Sequence, residues 1–172
     1  SKFLMGSLSD RSDARKFSVV GLIIAAAVMM SVGLIPYSSS IAINGGILFA
    51  FMLAVGWLSG MGWPPCGRIM AHWFSQNERS FKMSIWNTSH NTCAGTLALL
   101  VSAGIAVFTA VGIAESWRAA FIFPSIVALC VAAFCWWALR DRPEACGLPP
   151  VEEYRNDYTS RKAEKGEEQK IP

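Results

Sequence analysis

No aspartate, glutamate, lysine or arginine occurs between Phe17 and Gly67, between Met83 and Ala114, or between Ala119 and Leu139, which are runs of 51, 32 and 21 residues. Charged residues make up 16% of the 172-residue chain, where roughly 25% is usual in soluble domains, and apolar residues make up 53%. Runs of this length exclude a water-soluble domain, whose helices need a polar face every turn or so. The same apolar content excludes disorder and collagen-like structure over this region. The five cysteines, Cys66, Cys93, Cys130, Cys135 and Cys146, show no CxxC spacing and no histidine at metal-ligand distance. They read as small reduced core residues, so neither a disulfide nor a metal site is expected. The net charge is only +3, and the eight basic residues before Leu139 cluster near helix ends, which leaves no basic stripe for nucleic acid. There is no phosphate loop and no nucleophile beside a base, so neither an enzyme nor a cofactor is expected.

What is present is a series of membrane spans. A hydrocarbon core of roughly 30 Å takes about 20 helical residues, so the first charge-free run holds two spans and the others hold one each. The expected fold is all-α, a polytopic transmembrane helix bundle. Its spans are Phe17 to Pro36, Ile41 to Phe74, Phe81 to about Ile113, and Ala119 to Leu139. The second is interrupted near its middle by Gly60-Met-Gly-Trp-Pro-Pro-Cys-Gly67, where Pro64 and Pro65 are expected to kink the helix. Lys2 to Met5 reads as the end of a helix already under way, and the chain lacks an initiator methionine, so an internal piece of a longer protein is expected. Fifteen of the charged residues fall in 140–172. The expected division is therefore a bundle over 1–139 and a largely disordered loop or linker over 140–172.

Basic residues favour the cytoplasmic side of short loops. One set of loops holds Arg11, Arg15, Lys16, Arg79, Lys82, Arg140 and Arg142, and the other holds only Arg118, which orients the first set and the 140–172 segment toward the cytoplasm. Trp73, Trp117, Trp136 and Trp137 fall near span ends, where indoles favour the interface.

Ionisable groups within spans carry the most functional weight, because charge at mid-bilayer is costly unless paired or hydrated. His90 lies eight residues past Lys82 and Lys2 lies eight before Asp10, so both should sit about 12 Å inward from the same side. Trp63 is eleven residues before Phe74, or about 16 Å along the helix, beside the Pro64-Pro65 break. Asn87 precedes His90 by three residues and shares its helix face. Together these residues fit an anion site. Taken singly, each also fits a bland role: an interhelical hydrogen bond for His90 and Asn87, packing for Trp63, and snorkelling for Lys2. Arg68 sits about 9 Å inside the helix end and is expected to act structurally, with the Asp10 loop as a candidate partner. Asn87-Thr-Ser89 spells a glycosylation sequon, but a site inside a bilayer is out of the transferase's reach.

The loop Gly6-x-Leu-x-Asp10-Arg11-x-x-x-Arg15-Lys16 resembles the signature after the second helix of the major facilitator superfamily, with Asp13 and Ala14 standing where Gly and Arg are frequent. An aspartate beside a helix end there would accept from free N–H groups. Gly60-Met-Gly-Trp-Pro-Pro-Cys-Gly-Arg68, Trp86-Asn-x-x-His-Asn91 and Cys146-Gly-Leu-Pro-Pro-Val-Glu-Glu-Tyr-Arg-Asn-Asp-Tyr158 resemble the organophosphate:phosphate antiporters of that superfamily. The resemblance implies the end of helix 2, helices 3 to 6 and the start of the central loop, with the C-terminal half of the transporter missing. It implies exchange of glycerol-3-phosphate for inorganic phosphate across a bacterial plasma membrane, with hexose phosphate, phosphoglycerate or a hexose-phosphate sensor as alternatives. It also implies that Lys2, Trp63, Asn87 and His90 line the substrate cavity. Two departures stand out: Asn91-Thr-Cys-Ala-Gly95 replaces a glycine-rich run, and Ser80 replaces a glycine.

Overall fold

The computed structural model describes residues 2–113 and 115–155, the side chains of Lys2 and Glu152 excepted, and every regular element among the described residues is helical. In chain order these are α1 (Lys2–Asp10), α2 (Ala14–Leu34), α3 (Ile41–Leu58), α4 (Trp63–Trp73), α5 (Gln76–Ala110), α6 (Ala119–Ala138) and α7 (Val151–Tyr154). Short 3₁₀ turns occupy Ser59–Met61, Ser116–Arg118 and Pro143–Cys146. Four stretches are long and apolar enough to cross a bilayer: Ala14–Leu34, Ile41–Trp73, Gln76–Ala110 and Ser116–Ala138. These are the spans expected from the charge-free runs, and the all-α bundle expected from the sequence is the one observed.

Two boundaries differ from the charge-based reading. The first loop shrinks to residues 11–13, because α1 runs through Asp10 and α2 starts at Ala14. Asp13 caps α2, its Oδ1 accepting from the Lys16 N–H at 3.2 Å. Likewise the third span, expected from Phe81, begins earlier: Gln76–Arg79 forms the first turn of α5, with Glu78 near the positive end of the helix dipole. Charge marks where lipid ends, and a helix can continue past that point. At 1.5 Å per residue the 35-residue α5 is about 52 Å long against a hydrocarbon core of about 30 Å.

The break between α3 and α4 falls at Ser59–Gly62, just ahead of Pro64 and Pro65 in the first turn of α4. A proline there has no N–H to offer the carbonyl four residues back, but first-turn N–H groups lack intrahelical partners anyway. Two prolines therefore restart the helix at little cost, and the Pro65 ring is fully buried.

The core lies along α2, whose buried residues are Ala14, Phe17, Val19, Gly21, Ala26, Val32 and Gly33, and α6 is its principal neighbour. Their approach depends on Gly33, where an added Cβ would stand 2.6 Å from Ile122 Cγ1. Gly104 plays the same part between α5 and α6, since a Cβ there would lie 2.9 Å from the Phe123 Cβ. Small residues at crossings let membrane helices gain dispersion contact where lipid offers no hydrophobic drive. At the end away from the basic loops, Arg118 donates to the carbonyls of Gly33 at 2.8 Å and Ile35 at 2.9 Å. It thereby satisfies free carbonyls at the negative end of α2, and the Trp117 ring centroid lies 5.2 Å from its guanidinium.

By contrast α3 has no buried residue and α5 has only Gly104. Phe49, Leu53, Leu97 and Leu99 are among the large apolar side chains left exposed. Acyl chains or further helices satisfy such a surface in a membrane.

Candidate functional site

Trp63 opens α4, and α5 runs alongside it in the other direction of the chain. The Trp63 and Trp86 rings meet edge to face with centroids 4.4 Å apart and planes at 74°. That geometry sets the positive edge of one ring against the negative face of the other. A cleft of about 300 Å³ opens beside the pair, lined by Trp63, Met83, Ser84, Trp86 and Asn87. Trp63 is half-exposed and Asn87 is exposed, so the indole and the carboxamide are both available to a solute.

Of the four residues singled out from the sequence, the structure brings Trp63 and Asn87 together in this cleft. His90 follows Asn87 by three residues on α5 and is exposed, but it is not among the cleft's lining residues. Lys2 lies in α1, and its side chain is outside the described residues. Trp86 is the residue that sequence reasoning passed over. It was legible only as a neighbour of Asn87, because a tryptophan in an apolar helix reads first as packing or as facing lipid.

A second polar cluster lies at the basic end. Asp141, just beyond α6, accepts from Arg68 Nη2 at 3.2 Å and from the Ala14 N–H at 3.3 Å, and Arg142 Nε stands 3.4 Å away. Arg68 also donates from Nη1 to the Ser9 carbonyl at 2.5 Å. One carboxylate thus joins the starts of α2 and α4's inner face to the end of α6, while the guanidinium reaches α1. Arg68 thus meets α1 at the Ser9 carbonyl, and its carboxylate partner is Asp141. Asp10 closes α1, where free groups are carbonyls, so an acid there has no N–H to accept; Asp13 and Asp141 perform that task for α2. Arg15 donates to the Trp136 carbonyl and lies 4.6 Å from the centroid of its ring. Asp10 and Arg11 are exposed, and Gly6 sits in α1 with open space where a Cβ would be. Trp73 Nε1 donates to the Arg140 carbonyl at 3.0 Å, which ties α4 to the same corner.

All five cysteines are free, and among the described residues no cluster of His, Cys, Asp or Glu has metal-site geometry.

Four apolar spans around a glycine-packed α2–α6 crossing define a multi-pass α-helical membrane protein. The family model described as Major Facilitator Superfamily matches residues 1–168, and the chain belongs to that family. It is 49% identical over 158 residues to the glycerol-3-phosphate transporter of Bacillus subtilis, covering 92% of this chain and 34% of that protein. Against the glycerol-3-phosphate transporter of Haemophilus influenzae it is 41% identical over 165 residues, covering 92% and 33%. The probable hexose phosphate transport protein of Chlamydia pneumoniae is 37% identical over 158 residues, covering 91% and 31%. The chain spans about a third of the length of these relatives. No solved structure matches it.

Proposed function

We propose that the chain is part of a secondary transporter of the bacterial plasma membrane that exchanges glycerol-3-phosphate for inorganic phosphate by alternating access of two helical halves. The observation that carries this reading is the cleft where Trp63 of α4 meets Trp86 and Asn87 of α5, one turn from His90. The Asn87 carboxamide offers a polar solute both hydrogen-bond donors and an acceptor. A phosphate monoester carries roughly −1.5 to −2 charges near neutral pH, and moving it into a low-dielectric interior requires cations along the way. The family resemblance assigns this task to Lys2, and the His90 imidazole N–H would donate a further hydrogen bond to a phosphate oxygen. Trp63 would present an apolar face to the carbon skeleton of the solute.

Exchange without net flux follows if an empty, positively lined cavity resists closure and an anion relieves that repulsion, because a ligand shifts a conformational balance only by its difference in affinity for the two states. No bond in the solute is made or broken. The relatives' names support a phosphorylated cargo, and the apolar surfaces of α3 and α5 supply faces for the second half of the bundle to pack on. The 140–172 segment would form the cytoplasmic connection to that half.

Counterflow with the full-length protein tests the reading. Vesicles loaded with phosphate should accumulate labelled glycerol-3-phosphate transiently and fail to do so when loaded with chloride. Equal uptake from chloride-loaded vesicles would sink exchange, and preferential uptake of a hexose phosphate would reassign the cargo.

A further inference from the structure

Residues 140–155 fold back over the junction between α4 and α5. The start of this segment is held firmly. Asp141 pairs with Arg68 at 3.2 Å, with only 17% and 16% of the two side chains exposed. Beside it the Arg140 carbonyl accepts from Trp73, and Pro143 is buried. The chain then makes the 3₁₀ turn Pro143–Cys146 and reverses at Gly147, whose φ of +75° lies in the left-handed region. The prolines at 149 and 150 fix their own φ and stiffen the next stretch, and α7 follows. Near its far end Arg155 Nη2 pairs with Glu78 Oε1 at 3.0 Å.

Between its two ends the segment is not packed down. A half-open groove of about 510 Å³ runs along it, lined by Trp73, Phe74, Pro143, Leu148, Pro149 and Tyr154 among others. A second cavity, of about 180 Å³, adjoins it and shares Phe74, Ser75 and Val151. Leu148 and Tyr154, which line the larger space, are exposed, so it opens to the surface beside the segment. The outer ion pair is 54% exposed on Arg155 and 41% on Glu78, so water and salt screen it and its release costs little. The inner pair is shielded, and removing either partner would strand a charge. The segment is therefore hinged at Asp141 and releasable at Arg155.

We infer that residues 140–155 are a hinged latch that fastens the α4–α5 turn to the end of α6, so that the helices carrying the Trp63–Asn87 cleft move with α6 as one body. Its mechanical role rests on the transport reading, because alternating access rocks each half as a unit. Its opening and closing do not. α5 touches α6 along the Gly104 crossing, and the latch adds a second tie at the other end of α5.

The test uses the full-length protein in membranes, carrying Phe74→Cys as a reporter beneath the latch, with alkylation by N-ethylmaleimide followed on the peptide containing position 74. Glu78→Arg should open the latch and speed alkylation by about threefold or more, since reversal replaces a screened attraction with a repulsion. Adding Arg155→Glu should return the rate to the parental value, which a merely misfolded variant would not do. High salt should act as a mild form of Glu78→Arg. An unchanged rate in Glu78→Arg, or no recovery in the swapped pair, overturns the latch. Phosphate exchange should follow the same order, falling in the single reversal and recovering in the swap. Alkylation that responds while exchange does not would overturn the coupling to the cleft. Absence of exchange in the parental protein would overturn the transport reading alone, and the alkylation order would still decide the latch.

Discussion

Arg68 and Asp141, 73 residues apart in sequence, meet at 3.2 Å in a corner that is about five-sixths shielded from solvent, and through them α4, α6 and the start of α2 are held together. Loss of one partner leaves the other charge buried without its counter-ion, and Asp141→Ala also frees the Ala14 N–H. Because the site keeps some solvent contact, the cost should be about 2 kcal/mol rather than the larger values of fully buried pairs. Thermal unfolding in detergent should show Asp141→Ala and Arg68→Ala each lowering the midpoint, and the double variant losing less than their sum. Strict additivity would mean that the two side chains do not interact.

The Trp63–Trp86 contact should matter to the cleft more than to the fold. Edge-to-face pairs contribute about 0.5 to 1.5 kcal/mol beyond area burial, and Trp63 is already half-exposed. Trp86→Ala should therefore cost about 1 to 2 kcal/mol of thermal stability while lowering exchange several-fold, and Trp86→Phe should retain most of the rate. A loss of expression equal for both variants would show instead that Trp86 is a packing residue.

Replacement of His90 tests the hydrogen-bond donor one turn from the cleft. His90 is exposed on α5, so His90→Ala removes no packing within this part of the bundle. Exchange in vesicles should fall by about tenfold or more if its imidazole donates to phosphate oxygens, in keeping with about 1.5 to 3 kcal/mol for hydrogen bonds to charged groups. Parental kinetics in His90→Ala would remove histidine from the translocation path.

Packing at Gly33 gives the sharpest structural test. A methyl there would lie 2.6 Å from Ile122 Cγ1, too close for any relaxed contact. Gly33→Ala should cost about 1 to 3 kcal/mol by overpacking, and shortening the neighbour with Ile122→Ala should recover part of that loss. Failure of Ile122→Ala to recover any stability would place the α2–α6 contact elsewhere.

Arg118 holds the other end of α2. Arg118→Ala leaves the carbonyls of Gly33 and Ile35 without their donor and should destabilise by about 1 to 2 kcal/mol, with Arg118→Lys intermediate because one ammonium cannot reproduce the planar guanidinium. Equal stability of the lysine variant and the parent would show that charge alone, and not the fork, is used.

The amino-acid sequence alone determined where the chain can meet lipid. Three runs without charge have one solution in a bilayer, since every backbone group must be satisfied within a helix and each crossing needs about 20 residues. The break before Pro64-Pro65 was legible for a similarly local reason, the missing N–H groups. Trp63, Asn87 and His90 stood out because polar or amphipathic side chains are costly in an apolar helix. The tertiary structure decided everything that depends on which helix lies beside which. Spacing along α5 could place Asn87 and His90 on one face, yet only the approach of α4 selected Asn87 and Trp86 to line the cleft with Trp63. Composition could give Arg68 a structural task, but its partner is an aspartate 73 residues further on, because hydrogen-bond geometry is set by distance in space. The segment after Leu139 shows the same division: its charge content marks departure from lipid, while the fastening of Arg155 to Glu78 depends on a chain reversal at Gly147 and on an α5 that extends past the hydrocarbon.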